Sequence, residues 1–365
     1  MRIGIDGRAL QGFVEGSRAG VGRYVFELCR ELDKLLPDAK FYVYSSSPLE
    51  MPVASDRWIL RLEQSAWARY LKPVLWSKYR CGKLCKVDQL DVFWGAATFL
   101  PKLSKTVRTV TTVYDLNFKI VPETMGLLHK LAFQLYFKDD ILRADCVTTI
   151  SKGTSDRLHQ FYGRSTEAVI YPAVGLQFIK QPEDLVNSIL TRYAVKRPYL
   201  LAVGTREPRK NVKSLIDAYS ELKEEGFLGN YSLVLVGGQG WRHGKLDASL
   251  NQFESVVSLG YVHDDHLAPL YSGARLFVFP SIYEGFGIPV LEAISCGCKV
   301  IASDIPEIRE AGGVNCRYVE PTKLELKEGI LRELKNTARL SNDVDILRRN
   351  SWKESAQVLA STFMK

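Results

Sequence analysis

Two acidic residues frame a glycine-rich turn in the second half of the chain. Glu284 stands directly before Gly285-Phe286-Gly287-Ile288, and Glu292 follows with seven residues between the two acids. Backbone N–H groups at the start of a helix bind anions, and carboxylates accept O–H bonds from sugar or ribose hydroxyls. The pattern therefore predicts a site for an anionic, hydroxyl-rich ligand. The competing interpretation is an acid at a helix N-terminus followed by a solvated helix acid.

A second loop of the same half carries three cations. Arg206, Arg209 and Lys210 lie between a predicted strand, Tyr199–Val203, and a predicted amphipathic helix, Asn211–Glu225. Cations at the carboxyl end of a strand can clamp a pyrophosphate, although basic loops also occur for solubility alone. Because both loops follow strands of one predicted domain, we favour a single site that binds a diphosphate.

The first half offers weaker candidates. Gly20 and Gly22 follow the first strand and would let the backbone approach a ligand closely, but a third glycine is missing from the dinucleotide-binding fingerprint. Asp115, at the end of a predicted strand, could face a ligand or cap a turn. In the second half, the turn 237–242 could pass near a nucleotide or be an ordinary turn.

The candidate residues must be positioned by strands and helices, which the sequence indicates as short apolar runs that alternate with amphipathic stretches. This alternation is typical of α/β domains with parallel sheets. The predicted strands are Ile3–Ile5, Phe41–Tyr44, Val92–Trp94, Thr109–Val113, Val147–Ile150, Ala168–Ile170, Tyr199–Val203, Leu233–Val236, Val256–Leu259, Leu276–Phe279 and Val300–Ala302. Residues 172–197, with prolines, a glycine and a charged end, read as a linker. We therefore predict two domains, residues 1–175 and 176–347, with ligands at the carboxyl ends of the strands and a cleft between the sheets.

Composition and charge narrow the class of protein. The 365 residues are 46% hydrophobic and 25% charged, which excludes a disordered or fibrous chain. Residues 51–90 hold eight basic residues, three acids and three of the six tryptophans, within a chain of net charge +8. Basic amphipathic helices with Trp suit an anionic membrane surface; a solvated face over a packed core is the competing interpretation. We expect no nucleic-acid partner, because no recognised binding motif accompanies the charge.

The cysteines and the apolar runs indicate where in the cell the protein is expected. Seven scattered cysteines without zinc-site spacing predict reduced thiols. The N-terminus does not resemble a signal peptide, and no run is apolar enough to span a membrane. We expect a cytoplasmic location, with peripheral attachment to the inner membrane as the open alternative. Nothing in the sequence predicts an oligomeric state.

The motifs resemble those of the family 4 retaining glycosyltransferases. The resemblance covers nearly the whole chain and is carried by the segments 204–211, 260–262, 270–271, 281–293 and 296–303. It implies a GT-B fold, in which two Rossmann-like domains with parallel sheets face each other across a cleft. It also implies that the last helix, residues 348–365, crosses back onto the N-terminal domain. The loop Glu207-Pro208-Arg209-Lys210-Asn211 looks most like bacterial mannosyltransferases of O-antigen and polysaccharide assembly.

The resemblance implies roles for individual residues. Lys210, with Arg206 or Arg209, would bind the donor pyrophosphate, Glu284 the transferred sugar, and Glu292 the ribose diol. The remaining donor contacts would come from the backbone near Tyr261 and Val262, the turn Gly285–Ile288, and Gly20 with Gly22. Asp115 is a catalytic candidate. Relatives usually carry a histidine where this chain has Tyr114, which leaves the sugar contacts of the first domain open.

The resemblance also implies a reaction and its partners. The expected donor is GDP-mannose and the expected acceptor a lipid-linked oligosaccharide, with no further cofactor. Separately, we recognise no Asp-x-Asp motif as a candidate metal site and therefore expect independence from metals. Alternative donors are dTDP-rhamnose, a UDP-hexose or an N-acetylhexosamine nucleotide. A sugar-nucleotide epimerase of the same fold, or a basic membrane-binding module with an inactive site, are the alternative functions.

Overall fold

The computed structural model describes residues 1–11, 20–238, 255–336 and 351–364. They form two compact units. Unit 1 is Met1–Ala173 together with Asn350–Lys365, and unit 2 is Val174–Arg349. Each unit is an α/β layer structure around one parallel sheet, which confirms the predicted fold class.

Unit 1 is built on a seven-stranded sheet in the order β3-β2-β1-β4-β5-β6-β7, with every pairing parallel. Its strands are β1 Arg2–Asp6, β2 Lys40–Ser45, β3 Trp58–Leu62, β4 Val92–Gly95, β5 Arg108–Val113, β6 Cys146–Thr149 and β7 Ala168–Val169. Its helices up to the unit boundary are α1 Val21–Leu35, α2 Ala66–Arg69, α3 Pro73–Trp76, a π-helical turn Ser77–Cys81, α4 Gly82–Cys85, α5 Asn117–Ile120, α6 Leu127–Arg143 and α7 Lys152–Tyr162.

Unit 2 contains a six-stranded parallel sheet in the order β10-β9-β8-β11-β12-β13. Its strands are β8 Tyr199–Val203, β9 Ser232–Val236, β10 Val256–Gly260, β11 Leu276–Phe279, β12 Val300–Ser303 and β13 Cys316–Val319. Its helices are α8 Glu183–Arg192, α9 Val212–Glu224, α10 Asp264–Gly273, α11 Ile288–Ser295, α12 Pro306–Gly312 and α13 Lys323–Lys335. The strand order reverses at β8, which has β9 on one side and β11 on the other.

The last helix, α14 Trp352–Met364, packs on unit 1. The Ser355 hydroxyl donates to the carbonyl oxygen of Tyr171 at 2.6 Å, and Arg108 Nε of β5 donates to the carbonyl oxygen of Thr362 at 2.9 Å. The Trp352 ring meets the Tyr24 ring of α1 edge to face, with 5.9 Å between ring centres. The chain therefore returns to its first unit after completing the second.

Two predictions of local structure need correction. The stretch 172–197 is not a linker throughout, because it contains α8, whose Val186, Ile189 and Leu190 are buried. Two strands were not predicted. Strand β3 lies at the edge of the sheet in the basic, Trp-rich segment, and its side chains after Trp58 are only half-buried; strand β13, Cys316–Val319, is the edge strand of unit 2. Pro73 is the first residue of the short helix α3.

All seven cysteines are free thiols and buried. Burial raises the pKa of the Cys146 thiol to about 11, so this group stays protonated near neutral pH. Of the helices that the structure describes, none combines the length and the apolar character needed to cross a membrane.

Candidate functional site

The loops after β8 and β11 meet at one edge of the unit 2 sheet. The N–H of Ile282 donates to the carbonyl oxygen of Arg209 at 2.8 Å, and the Asn211 side chain donates to the carbonyl oxygen of Pro280 at 3.1 Å. Both loops start at carboxyl ends of neighbouring strands, where the strand order reverses. This is the position at which open α/β sheets bind ligands.

A buried carboxylate joins two cations at this edge. Glu284 Oε1 lies 2.6 Å from Lys210 Nζ, and Oε2 lies 2.8 Å from Arg209 Nη1. Lys210 and Arg209 sit on a short 3-10 turn, Pro208–Lys210, that precedes α9. The sequence predicted that these three residues share a site, but not that Glu284 pairs with the cations.

The environment of this cluster keeps Glu284 ionised. Burial acts to raise the pKa of Glu284, but the charges of Arg209 and Lys210 and the hydrogen bond from Lys210 lower it to about 2. Burial lowers the pKa of Lys210, against the opposing effect of Glu284. A second anion near Lys210 and Arg209 would compete with Glu284 for the same positive charges.

Arg206 lies beside this cluster and is also buried. Together with Lys210, Gly204, Gly237 and Ser281 it lines a small cavity at the carboxyl ends of β8, β9 and β11. The Arg206 N–H donates to the carbonyl oxygen of Gly238 at 3.2 Å, which ties the loop after β8 to the loop after β9. All three predicted cations therefore face one region of unit 2.

The close approach of these two loops depends on Gly237. Its φ is 135°, and a Cβ at this position would lie 2.1 Å from the carbonyl oxygen of Gly204. Only glycine fits such a contact. The rest of the turn predicted to pass near a nucleotide, residues 239–242, lies outside the described residues.

Glu292 is held inside the unit. Its side chain is buried on α11, and the hydroxyl of Tyr271 on α10 donates to Glu292 Oε2 at 3.1 Å. Burial raises the pKa of Tyr271, so the phenol stays a neutral donor. The interpretation of Glu292 as a solvated helix acid is therefore wrong. The sequence contained no signal for Tyr271 as its partner, because the two residues lie on different helices.

The glycine-rich turn leads directly into α11. Gly287 has a φ of 113° and immediately precedes Ile288, the first helical residue. Gly285 and Phe286 are buried in the turn. The N-terminus of α11 therefore lies only a few residues after Glu284 along the chain.

Tyr261 and Val262 follow β10, two strands away from β8. Val262 is buried, whereas Tyr261 is half exposed. The N–H of Gly237 donates to the carbonyl oxygen of Gly260 at 2.7 Å, so the loops after β9 and β10 also adjoin. These residues lie at the same edge of the sheet as the cation cluster.

The candidates of unit 1 lie at the carboxyl edge of its own sheet. Gly20 has a φ of 60° and accepts the N–H of Tyr24 at 3.1 Å, and Gly22 is buried in the first turn of α1. Residues 12–19 of the same glycine-rich loop lie outside the described residues. Asp115 Oδ1 accepts the N–H of Asn117 at 2.9 Å, which is the turn-capping arrangement that we considered as the alternative.

Tyr114 occupies the position at which the family resemblance led us to expect a histidine. Its hydroxyl donates to the carbonyl oxygen of Ala96 at 2.6 Å. Burial raises the pKa of Tyr114 well above its usual value. Its phenol therefore stays protonated and bonds to the neighbouring strand, and it cannot replace a cationic histidine.

The part of the chain that the structure describes contains no group of three or more His, Cys, Asp or Glu side chains that could hold a metal ion. The sequence does contain an Asp-x-Asp triplet, Asp343-Val344-Asp345, so our reason for expecting independence from metals was wrong; the triplet lies outside the described residues. The expected independence from metals stays a prediction.

Two family models match the chain, one largely in each unit. The model described as "Glycosyltransferase Family 4" matches residues 18–178, and the one described as "Glycosyl transferases group 1" matches residues 197–336. Among solved structures, a sucrose-phosphate synthase from Thermosynechococcus elongatus has a TM-score of 0.77 at 19% identity and covers 100% of this chain and 98% of its own. WaaG, a glycosyltransferase of lipopolysaccharide biosynthesis, has a TM-score of 0.68 at 19% identity, covering 99% and 95%. These likenesses confirm the predicted GT-B fold.

Curated relatives are similar over part of their length. The O-antigen chain mannosyltransferase B of Escherichia coli is 28% identical over 73% of this chain and 67% of its own. The serotype-specific mannosyltransferase WbdA of Escherichia coli is 29% identical, and the match spans 61% of this chain but only 29% of that protein. An N-acetylgalactosaminyltransferase of Campylobacter jejuni, whose name specifies a diphospho-undecaprenol substrate, is 28% identical over 65% and 63%.

Proposed function

We propose that the chain, whose residues 18–178 and 197–336 match two glycosyltransferase family models, transfers mannose from GDP-mannose to a lipid-linked oligosaccharide, with retention of configuration. The observation that carries this proposal is the cluster of Lys210, Arg209 and Glu284 at the carboxyl edge of the unit 2 sheet. The names of the mannosyltransferase relatives support the choice of sugar. The substrate named for the Campylobacter jejuni relative supports a lipid-linked acceptor.

The cations would act on the leaving group. When the bond between the sugar and the nucleoside diphosphate breaks, negative charge grows on the diphosphate. Lys210, Arg209 or Arg206, and the N–H groups at the start of α11 would stabilise that charge, and fixed donors of this kind are most effective where water is excluded. The low exposure of the Lys210 side chain, 12%, and the burial of Arg206 support this role.

Glu284 would exchange partners as the donor binds. A diphosphate beside Lys210 and Arg209 would take over the charges that Glu284 balances. The carboxylate would then accept hydrogen bonds from the hydroxyls of the sugar. Retention of configuration would follow if the acceptor attacks the same face of the sugar that the diphosphate leaves.

A donor panel tests the proposal. Purified protein is incubated with GDP-, UDP-, dTDP- and ADP-sugars, with and without lipid-linked acceptors, and the anomeric configuration of the product is read by NMR. We expect GDP-mannose to be consumed only when the acceptor is present, with the configuration retained. Turnover of another donor would contradict the choice of sugar. Turnover of any donor without acceptor would favour the epimerase.

Tyr271→Phe should weaken donor binding without slowing chemistry. The substitution removes the hydrogen bond to Glu292, which would hold the ribose diol, while keeping the buried ring. Hydrogen bonds to charged groups contribute roughly 1.5–3 kcal/mol, so we expect KM for the donor to rise about tenfold or more with kcat unchanged. Steady-state kinetics measures both values.

Tyr219→Phe is the matched control. The Tyr219 hydroxyl donates to the carbonyl oxygen of Tyr231 at 2.8 Å, within the hydrophobic core of unit 2. We expect KM to stay unchanged in this variant. An equal rise of KM in both variants would mean that Tyr271 acts through general stability rather than through Glu292.

A further inference from the structure

The Asn211 side chain joins three loops at the carboxyl edge of the unit 2 sheet. Its amide nitrogen donates to the carbonyl oxygen of Pro280, in the loop after β11, at 3.1 Å, and to that of Pro321, in the loop after β13, at 2.7 Å. Asn211 itself ends the loop after β8 and directly follows Lys210. One amide group therefore ties the loop that carries the cations to the loop that carries Glu284.

The hydrogen-bond partners fix the orientation of this amide. Its oxygen accepts the hydroxyl proton of Ser214, in the first turn of α9, at 2.7 Å. Because backbone carbonyl oxygens only accept hydrogen bonds, the nitrogen must face Pro280 and Pro321. An ionised aspartate has a similar shape but no donor hydrogen, so it could not make the two contacts with carbonyl oxygens.

The backbone at Asn211 also has a special conformation. It lies in the left-handed region, with φ 53° and ψ 30°. Asn is among the side-chain-bearing residues that adopt this conformation most readily. The turn that carries Arg209 and Lys210 ends here and α9 begins. Asn211 therefore supplies both the backbone turn that ends the cation loop and the side chain that fastens this loop to its neighbours.

The contacts of Asn211 differ in kind from the other contacts between the two site loops. Glu284 pairs with Lys210 and Arg209, and a diphosphate that bound the two cations would replace these ion pairs. The amide contacts of Asn211 involve no ionised group, so they would remain when the ion pairs exchange. They can thus keep the cations in place while their anionic partner changes.

We propose that Asn211 is a positioning residue: its amide holds Lys210 and Arg209 in register with the loop of Glu284 while a sugar nucleotide takes over the charges of the two cations. Stabilisation by fixed charges depends on their placement, and a displacement of about 1 Å can lower a rate by roughly 100-fold. The effect on sugar transfer rests on the proposed function. The joining of the loops can be tested without any ligand.

Asn211→Gly removes the side chain and keeps the left-handed backbone, which glycine adopts without steric cost. The N–H of Ile282 donates to the carbonyl oxygen of Arg209 at 2.8 Å, so its hydrogen exchange, followed by NMR, reports how firmly the loops are joined. We expect exchange of this amide to be about tenfold faster in the variant. We expect kcat with GDP-mannose and a lipid-linked acceptor to fall by about 10- to 100-fold.

Two further variants separate positioning from stability. Asn211→Asp keeps the size of the side chain but loses both donor hydrogens, so it should behave like Asn211→Gly. Tyr219→Phe removes a hydroxyl of α9 that lies 2.8 Å from the carbonyl oxygen of Tyr231 and 3.2 Å from that of Ser255, before β9 and β10 at the opposite edge of the sheet. It should lower stability in urea but leave the exchange of Ile282 and kcat unchanged.

Unchanged exchange of Ile282 in both Asn211 variants, or a wild-type kcat in folded Asn211→Gly, would overturn the proposal. Equal effects in Tyr219→Phe would overturn it as well, because general stability would then explain them. Absence of turnover of any sugar nucleotide by the wild-type protein would contradict the proposed function alone. Faster exchange of Ile282 in the variants would in that case still support the role of Asn211 in joining the loops.

Discussion

Lys210→Ala is expected to lower the rate of sugar transfer by about 100- to 1000-fold, the usual cost of removing one fixed donor to a developing negative charge. The substitution takes away the cation nearest Glu284, whose carboxylate lies 2.6 Å from Lys210 Nζ. It leaves Glu284 paired with Arg209 and removes one of the cations that would face the diphosphate. Initial rates with saturating acceptor measure the loss.

The matched control lies three residues further along the chain. Lys213→Ala removes the same charge from α9, where the ammonium is exposed and pairs with Asp217 at 2.5 Å. We expect this variant to keep the wild-type rate, and both variants to keep the wild-type circular dichroism spectrum. A rate near wild type for folded Lys210→Ala would contradict the assignment of the cation cluster to the leaving group.

Asp140→Ala should produce the largest loss of stability, about 3–5 kcal/mol in the free energy of unfolding, which is typical when a buried ion pair loses one partner. The Asp140 carboxylate is buried and holds the side chains of Lys78 and Arg143. Its second oxygen accepts the N–H of Leu100 at 3.1 Å. The substitution leaves the half-buried ammonium of Lys78 and the buried N–H of Leu100 without the Asp140 carboxylate as acceptor.

Denaturant unfolding measures the effect, and the neighbouring acid supplies the control. Asp139 is exposed on the same helix, so Asp139→Ala should change the free energy of unfolding by no more than about 0.5 kcal/mol. A loss of similar size in both variants would mean that the loss does not come from the buried contacts of Asp140.

Local patterns predicted the parts of the site that are continuous in sequence. The strand–turn–helix around Glu284 and the basic loop around Lys210 both lie where their apolar runs end. Their direct pairing could not be predicted, because the two residues are 74 positions apart and their contact depends on which strands are neighbours. The partnership of Tyr271 with Glu292 was missed for the same reason.

Counting charges in the sequence was least informative for residues 51–90, because it does not show which cations are paired. The excess of residues 51–90 could be counted, but the partners of Lys78 and Arg57 lie outside that window, at Asp140 and Asp33. The exposed leucines of α6 were also missed, since leucine spaced at helical intervals is more often buried. Only the packing of Phe137 and Ile141 on the other side of the helix shows which face is left for solvent.

Calorimetric titration of GDP-mannose into the wild-type protein and into Lys210→Ala tests the central claim, that the cations of unit 2 bind the diphosphate of a sugar nucleotide. We predict saturable binding to the wild-type protein and a dissociation constant at least about tenfold higher for Lys210→Ala, as expected from the loss of one charge-assisted contact. Equal affinities for the two proteins, or no saturable binding of GDP-mannose or any other sugar nucleotide, would contradict it.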